Sequence, residues 1–186
     1  PKKVYDLFTE AESALLTGLP VRDGALHEIM FGAGPRKGDC VNFRYRDFRP
    51  EATVDAPYGL LFREGKGGKD RQVPATEAIA KKISELAILD GLAPNDFLWY
   101  TRPGGGTKID RSKPVGTGSF DRWWERTLTE TEVRYRNPHM TRHTFATRYL
   151  RGRGWLETLC IVLGHESIAT TKDLYGHLDM RDVAYD

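Results

Sequence analysis

Pro138-His139-Met140-Thr141-Arg142-His143-Thr144-Phe145 is the stretch that decides both the fold and the chemistry of this chain. Two shorter strings follow it, Leu163-Gly164-His165 and Tyr175-Gly176-His177. Imidazole, guanidinium and phenol groups therefore gather in the last quarter of the sequence, without a carboxylate cluster or a phosphate-binding loop. Such a set suits an enzyme that attacks a phosphodiester with its own tyrosine.

The first string predicts a helix over about residues 138–152. At about 100° per residue, the apolar residues Phe145, Ala146 and Leu150 fall in one arc of that helix. A buried arginine is unfavourable unless it meets an anion, so the pattern predicts a phosphate or carboxylate partner for Arg142. A salt bridge inside the fold is the simpler alternative for an isolated arginine. In or beside the same arc lie the charged and imidazole groups, Arg142, His139 and His143.

The two strings that follow place a histidine in the turn between two further helices and a tyrosine on the second of them. Gly164 is expected to end one helix and to leave His165 at the mouth of the turn. Tyr175 lies on the same helical stripe as Thr171 and Leu174. A tyrosine on such a stripe is usually a packing residue. Its combination with the preceding strings favours a nucleophile instead.

The order and spacing of these strings resemble the catalytic domain of the tyrosine recombinases, the phage integrase family. The shared elements are His-x-x-Arg-His-Thr-Phe-Ala-Thr from His139, Leu-Gly-His ending 23 residues after Arg142, then Thr-Thr and Tyr-Gly-His. The resemblance extends from Thr9 to about Leu178. It implies an α+β fold, mainly α-helical, in which helices pack with a small antiparallel β-sheet.

The resemblance also implies a first catalytic arginine upstream. Gly32-Ala33-Gly34-Pro35-Arg36-Lys37-Gly38-Asp39, with Asp47-Phe48 downstream, is similar to the family's Thr-Gly-Leu-Arg-x-x-Glu segment. The chain departs from that pattern at the threonine, leucine and glutamate positions. Arg36 is the arginine that it implies, and Asp39 is expected to hold Arg36 or a neighbour. A competing string, Thr17-Gly18-Leu19, has a proline where the arginine is required.

A glycine- and lysine-rich turn supplies the next site. Gly65-Lys66-Gly67-Gly68-Lys69, followed by Asp70-Arg71-Gln72-Val73, predicts a β-hairpin. It resembles the family's strand-turn-strand lysine element. Lys66 is the implied catalytic lysine, and Lys69 is an alternative that contacts phosphate. As a bare string, such a turn is more often a solvated hairpin.

The reaction implied by the resemblance gives the nucleophile and its helpers their roles. Tyr175 attacks the scissile phosphate, forms a 3′-phosphotyrosyl link and releases a 5′-hydroxyl, with no ATP, metal or other cofactor. A phenol with a pKa of about 10 is a weak nucleophile at neutral pH, so a base must assist it. The family implies His139 as that base and Lys66 as the acid that protonates the 5′-oxygen.

The remaining groups surround the phosphate in this scheme. Arg36 and Arg142 clamp the non-bridging oxygens, where their forked donors stabilise the charge of the transition state. His165 donates a further hydrogen bond. His143 is expected to support the site or to pack beside it.

Periodicity, capping residues and turn residues predict the rest of the fold. Thr9-Glu10-Ala11-Glu12 resembles a capping box that starts the first helix, and Asp23 is expected to cap the second. We expect helices over about 9–16, 23–31, 35–47, 76–89, 119–132, 138–152, 155–163 and 167–178. The non-helical segments are the hairpin strands 58–63 and 70–73, a short strand or turn at 96–100, and a loop at 102–118.

Charge is uneven along the chain. The net charge is only +2, but residues 102–153 hold twelve Lys and Arg against five Asp and Glu. Such a basic half can neutralise DNA phosphates and release counterions, although solvated faces produce similar imbalances. The DNA-binding candidates are Asn42, Arg44, Arg46, Lys69, Arg102, Lys108, Arg111, Lys113, Arg122 and Arg126.

Composition favours a cytoplasmic protein. No apolar run approaches the roughly 20 residues that span a bilayer, and residues 1–4 show no secretory pattern. Cys40 and Cys160 lie far apart and outside any metal-ligand spacing, which favours two reduced thiols. Together with the resemblance, this predicts a bacterial cytoplasm or nucleoid and a phage or mobile-element origin.

We expect residues 1–186 to form one catalytic domain. The chain begins where the family's catalytic domain begins, so the amino-terminal core-binding domain is expected to be absent from it. The implied partner is double-stranded DNA at attachment or core sites. The family cuts DNA as a homotetramer, and only eleven residues follow Tyr175, so we expect a monomer in isolation.

Three alternatives stay open at the level of sequence. A type IB topoisomerase forms the same 3′-phosphotyrosine, although Leu-Gly-His and Tyr-Gly-His fit the recombinases better. The second alternative is a DNA-binding relative that does not cleave. The presence of all six expected catalytic side chains argues against it; they are Arg36, Lys66, His139, Arg142, His165 and Tyr175. A zinc hydrolase could use His139 and His143, but Met140 stands where the glutamate of His-Glu-x-x-His sites is required.

Overall fold

Helices dominate the computed structural model, which describes residues 5–50, 57–63, 70–101 and 110–178. No helix in these ranges is both long and apolar enough to cross a bilayer. The predicted class, mainly helical with a small antiparallel sheet, is confirmed. The helices are α1 (Glu10–Thr17), α2 (Val21–Ala33), α3 (Lys37–Asn42), α4 (Glu77–Asp90), α5 (Thr117–Glu130), α6 (His139–Arg151), α7 (Leu156–Leu163) and α8 (Ile168–Tyr175).

The strands form two antiparallel sheets in the described residues. Phe62 faces Arg71 across the hairpin that the sequence predicts. Its connecting residues 64–69, which include Lys66 and Lys69, lie outside the described residues. The strands are β1 (Phe48–Arg49), β2 (Gly59–Phe62) and β3 (Arg71–Pro74), paired in that order, and β4 (Tyr100–Thr101), paired with β5 (Asp110–Pro114).

Capping residues set several helix ends where the sequence predicts them. Thr9 Oγ1 accepts from the Glu12 amide at 3.2 Å, and Glu12 Oε2 accepts from the Thr9 amide at 2.8 Å, which is a complete capping box for α1. Thr76 caps α4 through its side-chain oxygen. The left-handed conformation that glycine tolerates ends α2 and α7 at Gly34 and Gly164, with φ of 59° and 63°.

Two apolar clusters hold the helices in place. The larger joins α2, α4, α5 and the three-stranded sheet, with Trp124, Phe120 and Leu60 fully buried. The smaller joins α6, α7 and α8 through Leu150 and neighbouring aliphatic residues. Phe145, on α6, packs against both clusters. Helix α6, which carries the decisive sequence, therefore lies between them.

The helix predicted over 35–47 is wrong in its second half. Helix α3 ends at Asn42, and a single turn of 3₁₀ helix follows at residues 45–47. The buried Asp47 carboxylate accepts from the Arg44 amide at 3.1 Å and from Arg63 Nε at 2.6 Å. A short carboxylate side chain that bonds the nearby backbone in this way competes with a continuing helix.

Two further predictions are wrong. Asp23 does not cap α2, which begins two residues earlier, because its carboxylate accepts from the indole N–H of Trp123 at 2.9 Å. The loop predicted over 102–118 contains β5 and the start of α5. There the Arg111 carbonyl accepts from the Phe97 amide at 3.0 Å, a contact that no local pattern reveals.

One buried histidine makes stability depend on pH. His27 is 0% exposed, and its ring lies 4.9 Å and 5.7 Å from those of Trp123 and Trp124. Its Nδ1 lies 2.7 Å from the Asp23 carbonyl, to which it donates, whereas Nε2 has no hydrogen-bond partner among the described atoms. Burial lowers the pKa of His27 to about 4.

Between its ordinary pKa of 6.5 and about 4, the unfolded chain binds a proton at His27 that the folded chain excludes. The stability that neutral His27 contributes is therefore complete above pH 6.5 and is lost as the pH falls towards 4, by roughly 3 kcal/mol in all. Urea unfolding at about pH 7.5 and about pH 4.5 measures that loss. His27→Phe keeps a ring in place and should lose less; equal losses in both proteins would contradict the assignment.

Candidate active site

The carboxyl end of α7 is the centre of the candidate site. The Gly164 and His165 amides donate to the Ile161 and Cys160 carbonyls at 2.9 Å and 3.1 Å, the pattern of a Schellman motif. This leaves the next three carbonyls for other donors. Each accepts from a different arginine: Val162 from Arg71 Nε at 3.2 Å, Leu163 from Arg142 Nη2 at 2.5 Å, and Gly164 from Arg36 Nη2 at 3.1 Å. The negative end of the helix thus gathers three guanidinium groups.

Arg142, on α6, is only 1% exposed. Besides Leu163, it donates from Nη1 to the Gly34 carbonyl at 2.9 Å and so ties the carboxyl ends of α2 and α7 together. Inside the fold, Arg142 therefore binds main-chain carbonyls rather than the carboxylate of the salt-bridge alternative. Burial and the charges of Arg36 and Arg71 lower the pKa of Arg142 to about 9, which leaves it protonated at neutral pH.

Asp39 organises the other two arginines. Its carboxylate accepts from the Arg36 amide at 2.6 Å and forms a 2.6 Å ion pair with Arg71. The neighbour that Asp39 was expected to hold is thus Arg71, and the Arg36 guanidinium stays clear of it. Burial lowers the pKa of Arg36. Among the described residues, no carboxylate oxygen lies within 4.0 Å of a guanidinium nitrogen of Arg36 or Arg142, so neither forms a salt bridge.

A partly open cavity of about 240 Å³ lies against these groups. Two arginines and two imidazoles face a single exposed carboxylate there, so the cavity suits an anion such as a phosphate. The described residues that line it are Arg36, His139, Arg142, Gly164, His165, Glu166 and Thr170. Arg36 is thus beside the cavity, whereas Thr17-Gly18-Leu19 lies at the end of α1 and in the turn that leads to α2.

His165 is oriented by α8. Its Nδ1 lies 2.8 Å from the hydroxyl of Thr171, which is fully buried. Burial, Arg142 and Arg36 lower the pKa of His165 to about 4, so the ring is neutral at pH 7. With the hydroxyl donating to Nδ1, the ring proton sits on Nε2, the nitrogen that can donate to an anion.

Tyr175 lies behind the cavity rather than in its wall. It is 1% exposed, and its hydroxyl lies 2.6 Å from His143 Nδ1. The Tyr5 ring stacks on the His143 ring, and their centroids are 3.8 Å apart. Burial raises the pKa of Tyr175, against an opposing effect of Arg142, so the phenol is neutral in this arrangement.

The histidine beside the phenol differs from the base that the resemblance implies. His139 is exposed on the cavity wall, where partial desolvation and the charges of Arg142 and Arg36 lower its pKa. His143, which was expected to support or pack, is the imidazole that contacts the hydroxyl of Tyr175. The imidazole rings of His139 and His143 pack edge to face with centroids 5.0 Å apart, so the two rings are in contact.

The DNA-binding candidates differ in how free they are. Arg44 stacks 3.8 Å from the Phe97 ring centroid and donates to the Asn95 carbonyl, and Arg46 donates to the Asn95 side chain. Arg111 is half-buried near Tyr100. The exposed candidates are Asn42, Arg46, Lys113, Arg122 and Arg126. The candidates outside the described residues are Lys69, Arg102 and Lys108, as is the implied catalytic Lys66.

Three residues of the site received no role in the sequence interpretation. Arg71 carried a signal, because it lies two positions from buried Val73 and so shares the inner face of β3. Thr171 carried another, four residues before Tyr175 on the same helical stripe. Tyr5 carried none, since its contact with the histidine on α6 joins distant parts of the chain.

Metal ligands and disulfides play no visible part in the described ranges. No group of three or more His, Cys, Asp and Glu side chains in those ranges is arranged to hold a metal ion. Cys40 and Cys160 are both free thiols. Burial raises the pKa of Cys40 well above its ordinary value, so this thiol stays protonated.

Comparisons with known proteins identify relatives of this chain. Tyrosine recombinase XerC of Proteus mirabilis is 30% identical over 167 residues, which are 89% of this chain and 50% of that protein. The crystal structure of XerA recombinase has a TM-score of 0.74 at 26% identity, over 98% of this chain and 65% of that chain. A XerH site-specific recombinase, bound to palindromic difH substrate in a post-cleavage complex, has the same fold, with a TM-score of 0.71 at 22% identity over 97% of this chain and 52% of that chain.

The chain spans about half the length of the curated relatives that it matches. The family comparison reaches further along this sequence, because residues 1–182 match the model of the phage integrase family. That range includes Tyr175 and the arginine cap of α7, by which we mean the three arginines that donate to its last carbonyls: Arg36, Arg71 and Arg142. The chain belongs to the phage integrase family.

Proposed function

We propose that this chain is the catalytic domain of a site-specific DNA recombinase that cleaves and rejoins DNA through a 3′-phosphotyrosyl intermediate. The observation that carries the proposal is that neutral carbonyls, not carboxylates, hold Arg36 and Arg142. Both charges therefore remain available for the non-bridging oxygens of a phosphate. His165 adds a neutral donor beside them.

The covalent step transfers the phosphoryl group from the 5′-oxygen of the DNA to the Tyr175 oxygen. The Tyr175 oxygen bonds to phosphorus, the bond from phosphorus to the 5′-oxygen breaks, and the phenolic proton leaves to an imidazole. The 5′-oxygen takes up a proton from an acid, for which we propose Lys66. Because Tyr175 is almost fully buried, the step first requires that its contact with His143 and Tyr5 opens towards the cavity.

We assign the general base, His139, from its position in the site. His139 lines the cavity and holds a lowered pKa, so it is a neutral proton acceptor at pH 7 when Tyr175 arrives there. His143 keeps the hydroxyl hydrogen-bonded until then. A topoisomerase or a non-cleaving relative is less favoured, because XerC, XerA and XerH are all named as recombinases.

The proposed partner is double-stranded DNA at a core or attachment site. The XerH relative was crystallised with its difH substrate, which supports this choice. We propose that four subunits assemble on such DNA, that residues 1–186 act as the catalytic domain within each subunit, and that the reaction needs neither metal nor ATP. A bacterial cytoplasm fits the bacterial source of the XerC relatives.

Covalent trapping tests the proposal. Nicked duplexes with a randomised core are incubated with the protein in EDTA without ATP, so that cleavage beside the nick releases a short strand and prevents rejoining. We expect a covalent protein–DNA adduct whose digestion maps to the peptide that contains Tyr175, and a released strand with a 5′-hydroxyl. An adduct on another residue, a requirement for metal, or no adduct at any protein concentration would refute the proposal.

A further inference from the structure

Arg71 is the third arginine at the end of α7, and it has no part in the scheme so far. Its side chain is 9% exposed, and each of its three guanidinium nitrogens donates a hydrogen bond. It reaches Asp39 through Nη2 at 2.6 Å and Nη1 at 3.3 Å, and its Nε donates to the Val162 carbonyl at 3.2 Å. Its guanidinium also lies 4.7 Å from the ring centroid of Phe62. A side chain so enclosed does not reach DNA.

The contacts of Arg71 join the two pieces of the phosphate clamp. Asp39, which it holds, fixes the Arg36 amide at 2.6 Å. Val162, which it also holds, comes two residues before Gly164, the residue whose turn presents His165. The packing there is tight, because a Cβ at Gly164 would lie only 2.9 Å from Arg71 Cδ. Arg71 thus spans the gap between α3 and α7 at the level of the cavity.

We propose that Arg71 is a positioning residue that sets Arg36 and the His165 turn at the separation a scissile phosphate requires. The proposal rests on the proposed function and deepens it. The forked guanidinium suits this task because it binds a carboxylate and a carbonyl at once, which the single ammonium of a lysine cannot do in the same geometry. Its positive charge also adds to the potential that an anion meets in the cavity.

The test compares Arg71→Lys and Arg71→Met with a matched variant of the same hairpin. Arg63→Met removes a 2.6 Å ion pair to buried Asp47, away from the cavity, and so controls for lost stability. The rate of adduct formation is measured at saturating nicked duplex, well below each protein's thermal midpoint. We expect a rate about 100-fold lower for Arg71→Met, about 10-fold lower for Arg71→Lys and nearly unchanged for Arg63→Met. Where Arg71→Met does not fold, Arg71→Lys decides alone.

A second substrate separates the clamp from the leaving group. A sulfur in place of the bridging 5′-oxygen leaves without an acid, so it restores cleavage wherever only the lysine hairpin has moved. On this substrate, we expect the Arg71 variants to be slower than the wild type by the same factors as on the ordinary nicked duplex. Rates equal to wild type with only a lower thermal midpoint, or full rescue by sulfur, would overturn the proposal. An inactive wild-type protein would instead refute the proposed function.

Discussion

Tyr175→Phe is expected to abolish covalent capture of nicked DNA, with adduct formation reduced by at least about 10⁴-fold. Phenylalanine preserves the ring that packs among α6, α7 and α8 and removes only the oxygen that would bond to phosphorus. The hydroxyl also contacts His143 at 2.6 Å, so its loss leaves a buried nitrogen without that partner. We expect this to lower the free energy of unfolding by about 1–3 kcal/mol without preventing folding.

A second tyrosine provides the control for this substitution. Tyr149, on α6, packs near Phe145 with ring centroids 6.1 Å apart and does not line the cavity. Tyr149→Phe should therefore form adduct at the rate of the wild type. Thermal unfolding and noncovalent DNA binding are measured for both variants, since both should stay folded and bound. An adduct that persists in Tyr175→Phe would place the nucleophile elsewhere.

Arg142→Lys is expected to slow adduct formation by about 10²–10³-fold, although the charge is kept. Arg142 donates to the Gly34 and Leu163 carbonyls and still has donors to offer a phosphate. A lysine ammonium has three donors on one atom and cannot reach both carbonyls and the phosphate from the same position. The defect should appear in the rate at saturating DNA, since the group acts most strongly on the charge of the transition state.

Arg148→Lys is the matched variant for Arg142. It lies on the same helix and also donates to a main-chain carbonyl, that of Phe8 at 3.1 Å, but it lies away from the cavity. We expect a small loss of stability and an unchanged cleavage rate. Equal rates for Arg142→Lys and the wild type would show that Arg142 is only a structural tie between α2 and α7.

Sequence patterns predict this molecule best where function and local structure depend on the same residues. The helix from His139, the glycine turn before His165 and the capping box at Thr9 follow from short-range spacing, and the structure has all three. The helix predicted past Asn42 fails because the Asp47 carboxylate accepts from the Arg44 amide and from Arg63, which follows β2.

The site shows the same limit. Spacing predicted that Arg142 and Tyr175 lie on helices and that His165 lies in the turn between α7 and α8, but it could not say which groups each side chain contacts. The partner of Tyr175 is His143 rather than His139, because helix rotation and the stacked Tyr5 decide which imidazole faces the phenol. Arg71 was likewise hidden, since its carboxylate partner lies 32 residues away on α3.

The arginine cap of α7 has a thermodynamic consequence. Carbonyl dipoles hold Arg36 and Arg142 in place but do not cancel their charge, so the folded chain keeps two like charges close together. A bound phosphate removes that repulsion only in the folded state. Each tenfold rise in ligand concentration above the dissociation constant then adds about 1.4 kcal/mol to the stability. Under the proposed function, a DNA phosphate supplies the opposite charge, and we expect the folded chain to be most stable when DNA is bound.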